Sequence, residues 1–295
     1  MYILTISKLK GMKSRNFLFS IVLASNSLLL FSQSNPITID LRNNGIKLDA
    51  KIYVTDKPNK APSVILLHGF PGNQSSPLGM AERLNSAGLN ILVFNYQGSY
   101  SSEGKFSFDN SIDNVNAAFN FLLDPQNQTK YKIDTSKIVV CGYSFGGTIA
   151  IESAMYNNKI RFLISIANDD HSVSIKKAAT DLEFRENYKN FIGGSFEPNG
   201  PFRGDLKALM EYNIRNVDRY DLVKNADKLK SKKILFIVGW QDNTSLIEIN
   251  TLPLYRKLIQ SNKINTSIKG FESDHRFNNV IDDLSKAIIN WIINN

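Results

Sequence analysis

The residue best placed to do chemistry in this chain is the serine of Gly142-Tyr143-Ser144-Phe145-Gly146. A short apolar run, Lys137-Ile138-Val139-Val140, precedes it, and a helix-compatible run, Thr148-Ile149-Ala150-Ile151-Glu152-Ser153-Ala154, follows. Strand, Gly-x-Ser-x-Gly, helix is the context of a nucleophile elbow, a sharp turn that presents the serine hydroxyl. Gly142 and Gly146 stand two residues either side, where a side chain would crowd the turn. Ser144 then sits at the start of a helix, whose free N–H groups favour negative charge. The motif alone also suits an ordinary glycine-rich turn, so its partners decide the matter.

A serine nucleophile needs a base, and the chain has three histidines: His68, His171 and His275. His275 follows the expected strand at 264–269, in Phe271-Glu272-Ser273-Asp274-His275-Arg276-Phe277, on a loop before the last helix. A histidine titrating near neutrality can accept the serine proton and return it. An acid at the end of the preceding strand would fix the ring's tautomer, and Gly239-Trp240-Gln241-Asp242-Asn243 supplies Asp242. The order Ser, Asp, His along the chain fits this assignment. Asp169, Asp170 and Asp274 are rivals for the acid: the first two follow the strand at 162–166, and the third adjoins His275. His68-Gly69-Phe70-Pro71-Gly72 leaves the strand at 64–67. Its His68 reads as a loop support, while the N–H of Phe70 would converge with that of Phe145 on a developing oxyanion. Asp169-Asp170-His171 reads poorly as a metal site, because adjacent side chains seldom converge on one ion; Asp170 and His171 are expected at the mouth of the pocket.

These residues need a scaffold. Ile37 to Leu41 and Ile46 to Ile52 alternate around Asn43-Asn44-Gly45, an antiparallel hairpin. Continuous apolar runs at 64–67, 91–94, 138–140, 162–166 and 234–238 suit strands buried on both faces of a parallel sheet. Helical patterns lie between them, at roughly 77–88, 110–123, 145–157, 252–261 and 277–292. This is an α/β fold, with its site beyond the carboxyl ends of the strands. The rhythm breaks between 168 and 231. Helical spacing at 175–189 and 204–217, with a loop at Gly193-Gly194 and Pro198-Asn199-Gly200-Pro201, predicts a small helical cap. Its aromatics Phe184, Tyr188, Phe191, Phe196 and Phe202 either line an apolar pocket or form the cap's own core.

Taken together, these motifs resemble the α/β-hydrolase superfamily, and within it the dienelactone-hydrolase, cinnamoyl-esterase and prolyl-oligopeptidase-like branches. The resemblance covers roughly residues 45–293. It implies a mostly parallel sheet flanked by helices, Ser144 as nucleophile, His275 as base, Asp242 as orienting acid, and the N–H groups of Phe70 and Phe145 as oxyanion donors. The loop from Phe94 to Phe106 also resembles the family, but Gln97 stands where the pattern often has arginine.

Composition bounds the rest. With 42% hydrophobic and 21% charged residues the chain reads as globular, not disordered. Its one cysteine, Cys141, forbids an intrachain disulfide and reads as a small buried hydrophobe. The net charge is +8, but Lys8, Lys10, Lys13 and Arg15 come before any acid. An apolar stretch and a small-residue exit at Ser32 follow, which together read as a secretory signal over 1–32 ahead of a domain at 33–295. Without that segment the charge is +4, too mild to indicate nucleic acid. The stretch is short for a membrane span. The expectation is an exported serine hydrolase, a carboxylesterase, acting on a small acyl or aryl ester without cofactor or metal. The alternatives are a serine peptidase acting on short peptides, and a non-catalytic binding protein on the same fold.

Overall fold

A computed structural model describes residues 35–295; the expected signal segment lies outside them. The chain opens with β1 (Ile37–Asn43) and β2 (Ile46–Tyr53), joined so that Asn43 pairs with Ile46. Asn44 and Gly45 both have positive φ, 49° and 85°, the backbone of a type I′ hairpin turn. Then come β3 (Ala61–Leu67), β4 (Asn90–Phe94), β5 (Ile133–Tyr143), β6 (Phe162–Ile166), β7 (Lys233–Gly239) and β8 (Thr266–Phe271). They form one sheet in the order β1-β2-β4-β3-β5-β6-β7-β8. The β1–β2 and β2–β4 pairs are antiparallel, and all others are parallel.

Helices cover both faces: α1 (Met80–Ser86), α2 (Phe108–Leu123), α3 (Pro125–Lys130), α4 (Phe145–Tyr156), α5 (His171–Thr180), α6 (Leu182–Gly193), α7 (Leu206–Arg215), α8 (Val217–Tyr220), α9 (Ile247–Asn250), α10 (Leu252–Asn262) and α11 (Ile281–Asn294). Alternation along the strands feeds two cores. Ile65 and Val140 pack with Phe119, Ile149 and Leu258 of α2, α4 and α10. Val64, Leu66 and Val139 pack with Leu84, Leu284 and Ile288 of α1 and α11. Each fully buried side chain of this kind contributes about 1.5–3 kcal/mol. Among the described residues no helix is long and apolar enough to cross a membrane.

Three differences from the expected elements have local causes. Strand β5 begins at Ile133, earlier than the apolar run, because Ala61 pairs with Ile133 before the register shifts to Ser63 opposite Ile138. The single helix expected at 175–189 is two, α5 and α6, broken at Asp181, whose carboxylate accepts the Phe184 N–H as an N-cap. The last helix starts at Ile281, after a short 3-10 turn at Asn278–Val280.

Candidate active site

The elbow is built as the glycines require. Ser144 follows β5 and precedes α4, at φ 55° and ψ −123°. This left-handed backbone is strained for a residue with a side chain, and such strain persists only where its surroundings impose it. Here the Ser144 N–H donates to Ile166 O at 2.8 Å, while Ser144 O accepts from Gly147 N at 2.8 Å. A Cβ on Gly146 would lie 2.6 Å from the carbonyl oxygens of Leu67 and His68, so α4 and β3 touch backbone to backbone.

Around Ser144 the structure brings together the residues expected as its partners. Ser144 Oγ donates to His275 Nε2 at 3.0 Å, and His275 Nδ1 donates to Asp242 Oδ2 at 2.7 Å. The other Asp242 oxygen accepts the N–H groups of Thr244 and Ser245, each at 2.8 Å. Burial raises the Asp242 pKa, but the His275 bond and these N–H donors outweigh it and hold the carboxyl below its ordinary range. The His275 loop is tied on two sides. Tyr143 OH donates to His275 O at 3.1 Å. Gln241 N donates to Ser273 O at 3.0 Å, which binds the loop to the end of β7.

The rivals for the acid are engaged elsewhere. Asp169 accepts from Ser245 Oγ at 2.7 Å, and Asp170 caps α5 through Ser172 N at 2.9 Å. Asp274 is exposed and accepts Arg276 N at 3.0 Å. His171 turns to Glu152, so Asp169, Asp170 and His171 point to three different partners. Of the pair expected at the pocket mouth, His171 lines the cavity, together with Asp169; Asp170 serves as a helix cap.

On the other side of Ser144 lies the β3 loop. A Cβ on Gly69 would stand 3.1 Å from Ser144 Cβ. The Phe70 and Phe145 rings are 6.2 Å apart. Phe145 is the first residue of α4, so its N–H has no intrahelical acceptor. His68 stays behind the loop: it is 2% exposed, its Nδ1 donates to Gly69 O at 2.8 Å, and burial lowers its pKa to about 4.

A cavity of about 290 Å³ opens beside Ser144. Phe106, Phe108 of α2 and Phe145 of α4 wall it on one side, and Ile175, Tyr188 and Leu209 of the helices between β6 and β7 on the other. The aromatics expected there divide. Tyr188, Phe191 and Phe196 line the cavity, Phe184 stacks on Tyr188 with centroids 5.9 Å apart, and Phe202 is wholly buried against Phe70 and Phe106.

Two features of the site escaped the sequence reading. Arg203 donates to the carbonyls of Tyr100 and Ser102, so an arginine from the insertion anchors the loop that follows Gln97. Glu152 is wholly buried in α4 with His171 Nδ1 at 3.2 Å, leaving Glu152 Oε2 and His171 Nε2 without partners among the described residues. Each unpaired buried polar atom costs about 1–3 kcal/mol. Burial favours the neutral His171 ring, but Glu152, with Asp169 and Asp170, outweighs it and holds the pKa above the ordinary histidine value.

A mostly parallel sheet with a strained serine after β5, an acid after β7 and a histidine after β8 has the architecture of a hydrolase. The chain belongs to the alpha/beta hydrolase fold family, whose model matches residues 62–263. It is 27% identical over 135 residues to the quorum-quenching protein AidA of Acinetobacter baumannii, covering 44% of this chain and 43% of that protein. It is 30% identical over 122 residues to a proline iminopeptidase of Saccharolobus solfataricus, covering 41% of this chain and 37% of that protein. The chain thus spans less than half the length of these two curated relatives. Among solved structures it resembles the Pyrococcus furiosus esterase Pf2001 (TM-score 0.63, 15% identity, 88% of this chain and 92% of that one). It also resembles Est1E from Butyrivibrio proteoclasticus (TM-score 0.63, 17% identity, 88% and 98%). At such identities the likeness is one of fold.

Proposed function

We propose that this chain is an exported serine hydrolase, a carboxylesterase that cleaves acyl or aryl esters through an acyl-enzyme on Ser144. The observation that carries the reading is the continuous chain Ser144 Oγ, His275, Asp242, with links of 3.0 and 2.7 Å. His275 Nε2 takes the hydroxyl proton as Ser144 Oγ bonds to the ester carbon. The Phe70 and Phe145 N–H groups receive the oxyanion, and Asp242 stabilises the imidazolium. As the carbon–oxygen bond breaks, His275 returns the proton to the leaving alcohol. A water then repeats the sequence, its proton passing to His275 and on to Ser144 as the acid departs.

The helices between β6 and β7 act in this reading as a cap that selects the acyl group. The apolar cavity wall favours an aliphatic or aromatic one. Export rests on the basic then apolar order of residues 8–31; N-terminal sequencing of the protein recovered outside the cytoplasm tests it, and a start at Met1 there counts against cleavage. A peptidase is the second reading, favoured by the similarity to a proline iminopeptidase.

The experiment is hydrolysis of p-nitrophenyl acetate, p-nitrophenyl butyrate, methyl ferulate and an aminoacyl p-nitroanilide by the full chain, beside Ser144→Ala. Ester turnover lost in the variant supports the esterase. Anilide cleavage with weak ester turnover moves the reading to the peptidase. No Ser144-dependent turnover, with no labelling by a fluorophosphonate, overturns both and leaves a binding protein.

A further inference from the structure

Helix α4 buries eleven of its twelve residues, and Glu152 is its one charged member. That carboxylate holds His171 by Nδ1 at 3.2 Å. The imidazole lies against Phe108, centroids 4.3 Å apart, and Phe145, at 5.2 Å. All three rings line the cavity that Ser144 also borders. His171 is 7% exposed, and its Nε2 has no partner among the described residues. An otherwise largely apolar wall therefore contains a buried, unpaired nitrogen. Its orientation is set by a carboxylate two turns along the helix that Ser144 precedes.

We propose that His171 is a specificity-determining residue whose Nε2–H receives a neutral oxygen acceptor, such as a ketone, hydroxyl or ether, carried on the apolar acyl chain of the substrate. This rests on reading Ser144 as the site of acyl transfer. Nδ1 faces the Glu152 carboxyl, so Nε2 is the nitrogen left to the cavity, and the neighbouring acids Glu152, Asp169 and Asp170 outweigh burial and raise the ring's pKa, the direction that favours a proton on Nε2. The acidic side chains of Glu152 and Asp169 already stand beside the ring and the cavity, so an anionic ligand would add a further acid to a largely apolar site. A neutral acceptor satisfies the nitrogen without that cost. A site built to hydrogen-bond its substrate rejects the analogue that lacks the bond.

The test uses methyl octanoate and its 4-, 5-, 6- and 7-oxo analogues, bound to Ser144→Ala and measured by calorimetry. At least one oxo ester is expected to bind about tenfold tighter than methyl octanoate. The preference should vanish when His171→Phe is added. With Ser144 restored, His171→Phe should raise KM for the p-nitrophenyl ester of that oxo acid about tenfold more than it raises KM for p-nitrophenyl octanoate. Equal affinity for all five ligands overturns the proposal, as does a preference that survives His171→Phe. If that variant fails to fold by circular dichroism, His171→Leu takes its place, and the comparison of ligands on Ser144→Ala stands without either. An oxo preference that depends on His171, in a protein without Ser144-dependent turnover, would keep the subsite and reject the acyl-transfer reading. Turnover without the preference does the reverse.

Discussion

A Cβ placed on Gly142 would lie 2.0 Å from the carbonyl oxygen of Gly146. The chain folds back on itself across Ser144, so that the Gly146 backbone fills the space of a Gly142 side chain, while the carbonyls of Leu67 and His68 fill that of a Gly146 side chain. Neither obstacle is a flexible side-chain end, so the turn has to open if a methyl is added. Gly142→Ala and Gly146→Ala are each expected to destabilise the protein by about 3 kcal/mol or more, at or beyond the upper end for overpacking. Ser144-dependent turnover should be lost with it. Thermal unfolding and ester hydrolysis check both; a Gly142→Ala protein with wild-type midpoint and rate would contradict the backbone contact.

Asp242 and Asp170 allow a ranking. Asp242 Oδ2 is 2.7 Å from His275 Nδ1, whereas Asp170 accepts from Ser172 at the start of α5. Asp242→Asn presents an amide to the ring and disfavours the tautomer that accepts from Ser144. A loss of about 10³–10⁴ in kcat is expected. Asn is as good an N-cap as Asp, so Asp170→Asn should keep activity within a fewfold. Matched kinetics on one ester decide it, and the reverse ranking would move the acid to the end of β6.

The elements that position the site were legible because each announces itself locally. Five apolar runs marked buried strands, and Ser144, Asp242 and His275 each follow a strand, so topology alone brings them to one edge. What escaped depends on distant partners. Arg203 is one more basic residue in a loop until the backbone of 98–106 is seen against it. Glu152 passes for an ordinary helix former. The signal was there, in a lone carboxylate flanked by Ile149, Ala150, Ile151 and Ala154, but its partner His171 comes from the far side of β6. The break at Asp181 was also readable in principle, as an acid three residues before Phe184. Apolar spacing on both sides of it masked the cap.

His68 gives a pH dependence of stability. Its folded pKa is lowered to about 4 by burial, against 6.5 for the free group. Between those values the unfolded chain binds a proton that the folded one refuses. Its contribution is therefore complete above pH 6.5 and is lost as the pH falls toward 4, on the order of 3 kcal/mol in all. His68→Gln removes this component. The wild-type urea midpoint should fall more steeply than the variant's from pH 7 to 4.5, and parallel curves would refute the buried neutral ring.

Arg203 ties the insertion to the loop after β4, which Tyr100 links to the loop after β3. Its guanidinium donates to Tyr100 O at 2.8 Å and to Ser102 O, and the Tyr100 hydroxyl donates to Pro71 O at 2.5 Å, one residue from Phe70. Charge-assisted bonds of this kind are worth about 1.5–3 kcal/mol. Arg203→Ala should therefore lower the unfolding temperature by roughly 4–9 °C. It should also lower kcat on esters several-fold while changing KM little, because the loosened loop presents Phe70 N–H less accurately. Tyr100→Phe cuts the same path nearer the site, so adding it to Arg203→Ala should lower kcat by less than the product of the two single losses. Multiplicative losses would mean that the two residues act separately, and an unchanged melting temperature in Arg203→Ala would show that the insertion is held by its apolar contacts alone.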